Sequence, residues 1–479
     1  MTIPADTGAA EATVPPAVPV DHLAVVGITR PDAGGLLRIL GVAFGLAIVV
    51  GNTIGMGILR TPGEVAAHLP SVPLFLGIWV AGAAYALLGA LSLAELGAMH
   101  PRSGGLYPIA RRGLGPYPGF VVGWSDWLST CGSLAAVAIV LAEYSAPLLT
   151  PLLGREALAA SVVVMIFAVL HWRGIRFGDA AQRATSLAKA IALIGLAAIA
   201  LILGSGGGAA EAIPEVTIPM AVLPGGLVLM AAIVLALQSV IFTYDGWTGP
   251  IFFGEEVANP GRDIPRAMIG GVLLVMVIYL ALNVAFVRVI PIHEMAGDPF
   301  VAATVASRLF GPAGDTVIRV LMIVSLIAAV NALQLMASRV PFAMSRDGFL
   351  PALLQRVNAG GTPVPAMLLS TAVAVLFIAT NTFDTALALL AFFFVANYAL
   401  CFIAVFLLRV REPDTHRPFR IPGYPWVPGI ALVGSLAFLV AALVGDRTNS
   451  VRALMLLAAS LPVYFAVRSW KRPRPTAES

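Results

Sequence analysis

The fold is decided by the stretch Gly51-Asn52-Thr53-Ile54-Gly55-Met56-Gly57-Ile58-Leu59, which lies inside a long apolar segment. Each glycine in a helix costs roughly 1 kcal/mol relative to alanine, so the three glycines predict a break in a membrane helix. Bare glycine backbone also lets a ligand approach N–H and C=O groups closely. Such a break is tolerated in the hydrocarbon core only where the backbone is buried in protein or lines a cavity. We therefore expect it to form half of a small-molecule site.

The composition is that of a membrane protein. Of 479 residues, 59% are hydrophobic and 11% are charged, and the mean hydropathy is +0.92. A helix needs about 20 apolar residues to cross a hydrocarbon core about 30 Å thick. We predict an all-α integral membrane protein with 12 transmembrane helices. The predicted spans are 39–66, 71–98, 117–148, 157–172, 184–204, 227–254, 266–290, 314–345, 363–380, 383–409, 427–445 and 450–468.

The two ends are predicted to be tails in the cytoplasm. Residues 1–38 are rich in Pro and Ala and lack the basic n-region of a signal peptide, which favours a disordered tail. Most Lys and Arg residues fall in alternate connections, and the positive-inside rule then places both ends, including the tail 469–479, in the cytoplasm. We expect a multi-pass protein of a bacterial-type plasma (inner) membrane, with the lipid bilayer as a partner. Cys131 and Cys401 both lie in predicted spans, so we predict no disulfide framework, metal site or cofactor.

A second break interrupts the sixth predicted span at Phe242-Thr243-Tyr244-Asp245-Gly246-Trp247-Thr248-Gly249-Pro250. Five spans separate it from the first break, and an odd number reverses the direction of the chain. Two interrupted helices in oppositely oriented halves indicate an inverted-repeat transporter with a site near the midplane. We expect five-helix repeats at 39–204 and 227–409, with two appended helices at 427–468.

The two breaks offer opposite partial charges. Free N–H groups of Ile54 to Ile58 would lie at the start of the second half-helix of span one, where they suit a carboxylate. The first half of span six would end near Phe242 to Tyr244 and leave carbonyl groups that suit an ammonium, before a second half-helix begins. An anion end beside a cation end describes an amino-acid backbone. The alternative is that these glycines only allow close helix packing.

Several polar residues in the spans have more than one interpretation. Asp245 can bind a cation, take part in proton transfer or cap free N–H groups. Lys189 is a candidate for proton coupling, or it snorkels to the cytoplasmic surface. Phe242 is either a gate over the ligand or a packing residue. The remaining candidates, which either line a cavity or make interhelical hydrogen bonds, are Asp126, Asn331 and Asn397.

Four stretches carry a resemblance to a known family. They are Gly51 to Ile58, Ala94 to Gly105, Phe242 to Arg266, and Ser338 to Gly348. In these stretches the chain resembles the amino acid–polyamine–organocation transporters, and within them the L-type amino acid transporter group. The resemblance implies a LeuT-type 5+5 inverted repeat with broken helices one and six.

The resemblance also implies roles for single residues. Thr53, Ile54, Gly55, Met56 and Gly57 would hold the substrate carboxylate, with Met56 replacing a small polar residue often found there. Phe242 would be the gate. Backbone at Thr243, Tyr244, Asp245 and Gly246 would take the amine. Lys189 matches the span-five lysine that, in proton-coupled relatives, stands where sodium-coupled ones hold the ion.

The expected function is secondary active transport of amino acids by alternating access, as proton-coupled symport of neutral L-amino acids. An amino acid exchanger and a transporter of cationic amino acids or polyamines stay open as alternatives, with a channel more distant. The sequence has no HExxH motif, P-loop or nucleophile elbow, so we predict no enzyme. No nucleic-acid partner is expected.

Overall fold

The computed structural model describes residues 35–55, 57–149, 154–204, 226–380, 383–445 and 447–470. Within these ranges the regular structure is helical, and the only sheet-like pairings are two isolated bridges. The helices are α1 (Val42–Thr53), α2 (Gly57–His68), α3 (Val72–Met99), α4 (Tyr107–Leu114), α5 (Pro116–Ser145), α6 (Glu156–Trp172), α7 (Ile175–Leu203), α8 (Gly226–Thr243), α9 (Pro260–Val289), α10 (Ile292–Met295), α11 (Val301–Phe310), α12 (Gly314–Arg346), α13 (Val364–Thr380), α14 (Phe383–Arg411), α15 (Trp426–Gly445) and α16 (Arg447–Trp470).

The lengths and compositions of these helices suit a membrane. Among the described residues, 8 helices are long and apolar enough to cross one, and α1 with α2 adds a bent ninth span. Three shorter apolar helices lie at Glu156–Trp172, Val228–Thr243 and Val364–Thr380. The predicted all-helical membrane protein is confirmed, while the total of 12 spans and the 5+5 repeat stay predictions.

The first break occurs where the glycines predict it. Helix α1 ends at Thr53, α2 begins at Gly57, and the two axes differ by 47°. Between them the Gly55 N–H donates to the Thr53 carbonyl at 2.9 Å, a tight turn that no helix continues. Met56 lies outside the described residues, as do most of the predicted tails 1–38 and 469–479.

The second break differs from the prediction. The span 227–254 was expected to resume as a second half-helix, but α8 ends at Thr243 and only turns and a short 3₁₀ helix, Gly249–Phe252, follow it. Gly246 has φ +118°, a conformation that right-handed helices do not contain. Pro250 has no N–H to donate to a helical ladder. The expectation of a second α-helical half is therefore wrong.

The broken helices lie in the middle of the bundle. Helix α1 packs against α9, α7 and α12, and α2 packs against α8. Helix α5 packs against α12 and α14, which completes the wall around the breaks. Helices α15 and α16 contact mainly α14, α3 and α5, and only 22% and 24% of the residues in their most apolar stretches are buried.

One end of the bundle is closed by a layer of polar contacts, which we name the Asp347 face. Asp347, just after α12, pairs with Arg102 at 3.2 Å and with Arg111, and it accepts a hydrogen bond from the Tyr107 hydroxyl at 2.8 Å. Deeper in the same layer, the buried Arg339 donates to both carboxylate oxygens of Glu256, at 3.1 and 2.8 Å. These contacts join α12 and the residue after it to α4 and to the connections that follow α3 and α8.

Two isolated bridges continue this layer. Ser103 pairs with Phe253, and Leu40 pairs with Val257. The chain entering α1 and the connection after α3 are thereby both tied to the segment that follows the second break. The Asp347 face is thus linked to both broken spans.

Candidate functional site

A cavity of about 120 Å³ lies between the two breaks. Both broken spans contribute to its wall, together with α5, α12 and α14. The lining residues are Asn52, Thr53, Gly55, Gly57, Asp126, Thr130, Ser133, Ala136, Val137, Phe242, Thr243, Asp245, Thr248, Phe252, Leu333, Met336, Phe394 and Tyr398. The breaks, 190 residues apart in sequence, therefore form one site.

The two breaks touch each other directly. The hydroxyls of Thr61 and Thr243 lie 2.9 Å apart. A Cβ on Gly246 would stand 2.8 Å from the Thr53 amide nitrogen, so only glycine fits at this crossing. The Tyr279 hydroxyl lies 2.9 Å from the Thr53 carbonyl and 3.1 Å from the Thr243 carbonyl. Tyr279, from α9, thus fixes the spacing of the two ends, and nothing in the sequence pattern pointed to it.

The amide end of the site is smaller than predicted. The Ile54 N–H donates to Val50 and the Gly55 N–H donates to Thr53, so these two amides are already used. We expected free N–H groups from Ile54 to Ile58, and this expectation is wrong for Ile54 and Gly55. Because α2 begins at Gly57, its first amides have no acceptor within the helix. The positive end of the α2 dipole therefore points at the cavity from Gly57.

The carbonyl end of the site comes from α8. This helix ends at Thr243, and Phe242 and Thr243 both line the cavity. The last carbonyls of a helix carry partial negative charge and suit a cation. Asp245, directly after this end, also lines the cavity and accepts a hydrogen bond from the Tyr398 hydroxyl at 2.5 Å.

Lys189 is buried and bound to the first break. Only 1% of the residue is exposed, and its Nζ atom donates to the Gly51 carbonyl at 2.9 Å and to the Ile54 carbonyl. Ser325 adds a hydrogen bond to the same Ile54 oxygen at 3.2 Å. The side chain therefore ends at the break in α1 and does not snorkel to the surface.

Three predicted site residues lie at the breaks but do not line the cavity. Ile54 offers its carbonyl to Lys189, and Gly246 packs on Thr53. The Tyr244 ring packs against Tyr279, with ring centroids 4.9 Å apart. These residues therefore pack at the breaks on the side that faces away from the cavity.

Two of the remaining candidates, Asn331 and Asn397, lie outside the cavity as well. Asn331 contacts His171 at 2.7 Å and donates to Gln182 at 2.6 Å, in a polar cluster between α6, α7 and α12. Asn397 accepts a hydrogen bond from Ser125 at 2.9 Å behind the cavity wall. For both, the interhelical alternative agrees with the structure, because their partners lie on neighbouring helices.

Asp126, by contrast, lines the cavity. Thr130, Ser133 and Val137 follow it on the same face of α5, at helical spacing, and line the cavity too. The sequence already shows this spacing, and the predicted site residues include only Asp126 from it. Tyr398 was also missed, because its role depends on a contact with Asp245 across 153 residues of chain.

Comparison with known proteins gives the family. The family model described as amino acid permease matches residues 40–467. The chain belongs to the amino acid permease family. This agrees with the resemblance found in the sequence, and the prediction of an amino acid transporter is confirmed at the level of this family.

Relatives of this permease align over most of their length. The serine/threonine exchanger SteT of Bacillus subtilis (strain 168) is 29% identical over 446 residues, 92% of this chain and 99% of the relative. The b(0,+)-type amino acid transporter 1 of Mus musculus is 27% identical over 425 residues, 87% of this chain and 85% of the relative. The Asc-type amino acid transporter 1 of Mus musculus is 27% identical over 443 residues, 91% and 82% of the two chains.

Proposed function

We propose that this permease carries amino acids across the membrane by alternating access, with 12 spans arranged as two five-helix repeats and two appended helices. The observation that carries the proposal is the contact between two broken helices around one cavity. The amides at Gly57 would bind the substrate carboxylate, and the carbonyl end of α8 would bind the amine. The cavity can hold only a small solute, which agrees with a free amino acid.

The Asp347 face would be the cytoplasmic face, as the positive-inside rule predicts. Its ion pairs close one end of the bundle below the cavity. Release of substrate to that side would require the connections after α3 and α8 to separate from α12. The two states of alternating access would then differ mainly in whether this layer is closed.

We propose proton-coupled symport of neutral amino acids, with Lys189 as the coupling residue. Its Nζ atom binds two carbonyls that belong to the break in span one, and in the protonated form these hydrogen bonds would be charge-assisted. Charge-assisted hydrogen bonds are roughly twice as strong as neutral ones. Loss of the proton would therefore loosen the same turn that carries the amide end of the site.

The second candidate is amino acid exchange, which the name of the relative SteT favours. In an exchanger, Lys189 would hold the break without releasing its proton. Substrate on both sides would then be needed for flux, and a pH gradient would not drive accumulation.

The deciding experiment measures uptake of a labelled neutral amino acid into liposomes that contain the purified protein. Symport predicts accumulation driven by a pH gradient, and Lys189→Ala should abolish it. The matched control is Lys471→Ala, which removes the other lysine of the sequence and should leave uptake unchanged. Uptake that needs internal amino acid and ignores the gradient would establish exchange. Gradient-driven uptake that survives in Lys189→Ala would refute the coupling role.

A further inference from the structure

Asp126 lines the cavity and carries a side-chain oxygen without a hydrogen-bond partner among the described residues. The residue is 3% exposed, and this oxygen is its Oδ2 atom. A buried polar atom without a partner is costly and requires an explanation. A bound ligand that supplies a hydrogen-bond donor would provide the missing partner.

This oxygen packs against the connection after α3. A Cβ on Gly105 would stand 2.7 Å from Oδ2, so the connection after α3 reaches the carboxyl group only because residue 105 is glycine. This connection belongs to the Asp347 face. Asp126 therefore lies between the cavity and the layer that closes it.

Neighbouring hydroxyls of the wall already use their protons. Thr130 donates to the backbone carbonyl of Asp126 at 2.7 Å, and Tyr398 donates to Asp245 at 2.5 Å. A hydroxyl that donates its only proton can still accept through its oxygen. The wall formed by α5 and α14 thus offers hydrogen-bond acceptors. It suits a ligand that carries hydrogen-bond donors.

This wall is distinct from the ends that would hold the amino-acid backbone. The amide and carbonyl ends come from α2 and α8, whereas Asp126 and Thr130 come from α5. Resting on the proposed function, we infer that Asp126 selects amino acids whose side chain carries a hydrogen-bond donor. Its Oδ2 accepts from that donor, and Thr130 offers a second acceptor one helical turn away. A side-chain hydroxyl satisfies this chemistry within the proposed neutral class, and a side-chain ammonium satisfies it in a cationic amino acid.

The test compares pairs of amino acids that have the same shape with and without the donor. L-Threonine is matched with L-valine, and L-ornithine with L-norleucine, each as a competitor of labelled uptake in liposomes. A hydrogen bond to a charged group predicts a preference of about tenfold to a hundredfold for the donor-bearing member. Preference within the first pair identifies a hydroxyl, and preference within the second identifies an ammonium.

Variants then assign the preference to Asp126. Asp126→Ala should reduce it to less than about threefold by weakening the donor-bearing competitor, while its apolar match competes as before. Asp126→Asn keeps the shape of the side chain and one hydrogen-bond acceptor, so an intermediate preference is expected. If the alanine variant does not fold, this variant tests whether Asp126 causes the preference. Asp179→Asn, whose carboxylate pairs with Arg183 on α7, is the control and should keep the full preference.

Two outcomes would overturn the inference. Equal competition within both pairs in the wild type would show that the site does not recognise a side-chain donor. The proposal of amino acid transport would be unaffected. An unchanged preference in Asp126→Asn and Asp126→Ala would show that another residue reads the donor. Absence of amino acid flux altogether would instead refute the proposed function, and the inference with it.

Discussion

The pair of breaks and the Asp347 face are held together in different ways. At the breaks, buried side chains meet backbone carbonyls at short range, as between the Tyr279 hydroxyl and the carbonyls of Thr53 and Thr243. At the outer part of the Asp347 face, outside the buried Arg339–Glu256 pair, charged side chains meet in part-exposed positions, since 26% of the Arg102 side chain and 34% of the Arg111 side chain are accessible. One region depends on close packing and the other on ion pairs near water.

This difference suits a molecule with a fixed site and a closure that opens. Buried backbone contacts leave no room for adjustment, because protein interiors are close-packed. Exposed ion pairs contribute only about 0–1 kcal/mol each, because water solvates the separated charges well. We therefore expect substitutions at the breaks to damage the fold, and substitutions at the Asp347 face to shift it between states.

The largest effect is expected at Gly246. Its φ of +118° strains any other residue, and a Cβ would stand 2.8 Å from the Thr53 backbone nitrogen. Gly246→Ala should therefore destabilise the protein by about 3 kcal/mol or more. The change is measured by heating the protein in detergent and recording the fraction that stays monodisperse at each temperature.

The control for this prediction is another glycine of the same site. A Cβ on Gly55 would meet nothing within 4 Å, and its backbone is not left-handed. Gly55→Ala should change stability by less than about 0.5 kcal/mol, yet it should weaken substrate binding because the methyl group enters the cavity. A Gly246→Ala protein as stable as Gly55→Ala would contradict the close contact between the breaks.

A moderate effect is expected from Tyr279→Phe. The variant keeps the ring and removes the hydroxyl that spans the two breaks, which should lower stability by about 1–2 kcal/mol. The KM for uptake should also rise, because the amide and carbonyl ends lose their fixed spacing. Tyr85→Phe removes a hydroxyl bonded to Ser435, between α3 and α15, and serves as the control with unchanged KM. A wild-type KM in Tyr279→Phe would show that the hydroxyl stabilises the fold without affecting substrate binding.

These two regions also differ in how far the sequence predicts them. Glycine and proline act on their own backbone, so the breaks at Gly55 and Gly246 were visible without the structure. The contacts that join them depend on partners such as Tyr279, which lies 226 residues after Thr53. The second half of span six was predicted as helix, since its apolar composition fits either a helix or turns buried in protein.

A smaller effect is expected from Asp347→Asn. Loss of the charge weakens the pairs with Arg102 and Arg111, by about 1 kcal/mol in total for part-exposed groups. The open form should gain about fivefold in population. Cys401 is buried against the Leu106 carbonyl beside this face, so its labelling by a maleimide reports the opening, in a Cys131→Ala background.

The control for the labelling experiment is an ion pair elsewhere in the protein. Glu294 pairs with Arg308, between α10 and α11. Glu294→Gln should leave the labelling rate of Cys401 unchanged. Equal rates in all three proteins would mean that the Asp347 pairs do not hold the face closed.

The smallest effect is expected from pH in the neutral range. Partial burial raises the pKa of Asp347, but the Tyr107 hydroxyl and the guanidinium groups of Arg111 and Arg102 outweigh it and hold the pKa below 3.8. A lowered carboxyl pKa contributes stability above the pKa of the unfolded state, and that stability is lost as the pH falls through the pKa of the folded state. The ratio of Cys401 labelling rates between Asp347→Asn and the wild type should therefore stay constant from pH 8 to pH 5. It should approach one only in the window below about pH 4, where the wild-type carboxyl gains its proton. A ratio that already falls between pH 7 and pH 5 would mean that a group other than Asp347 controls the closure.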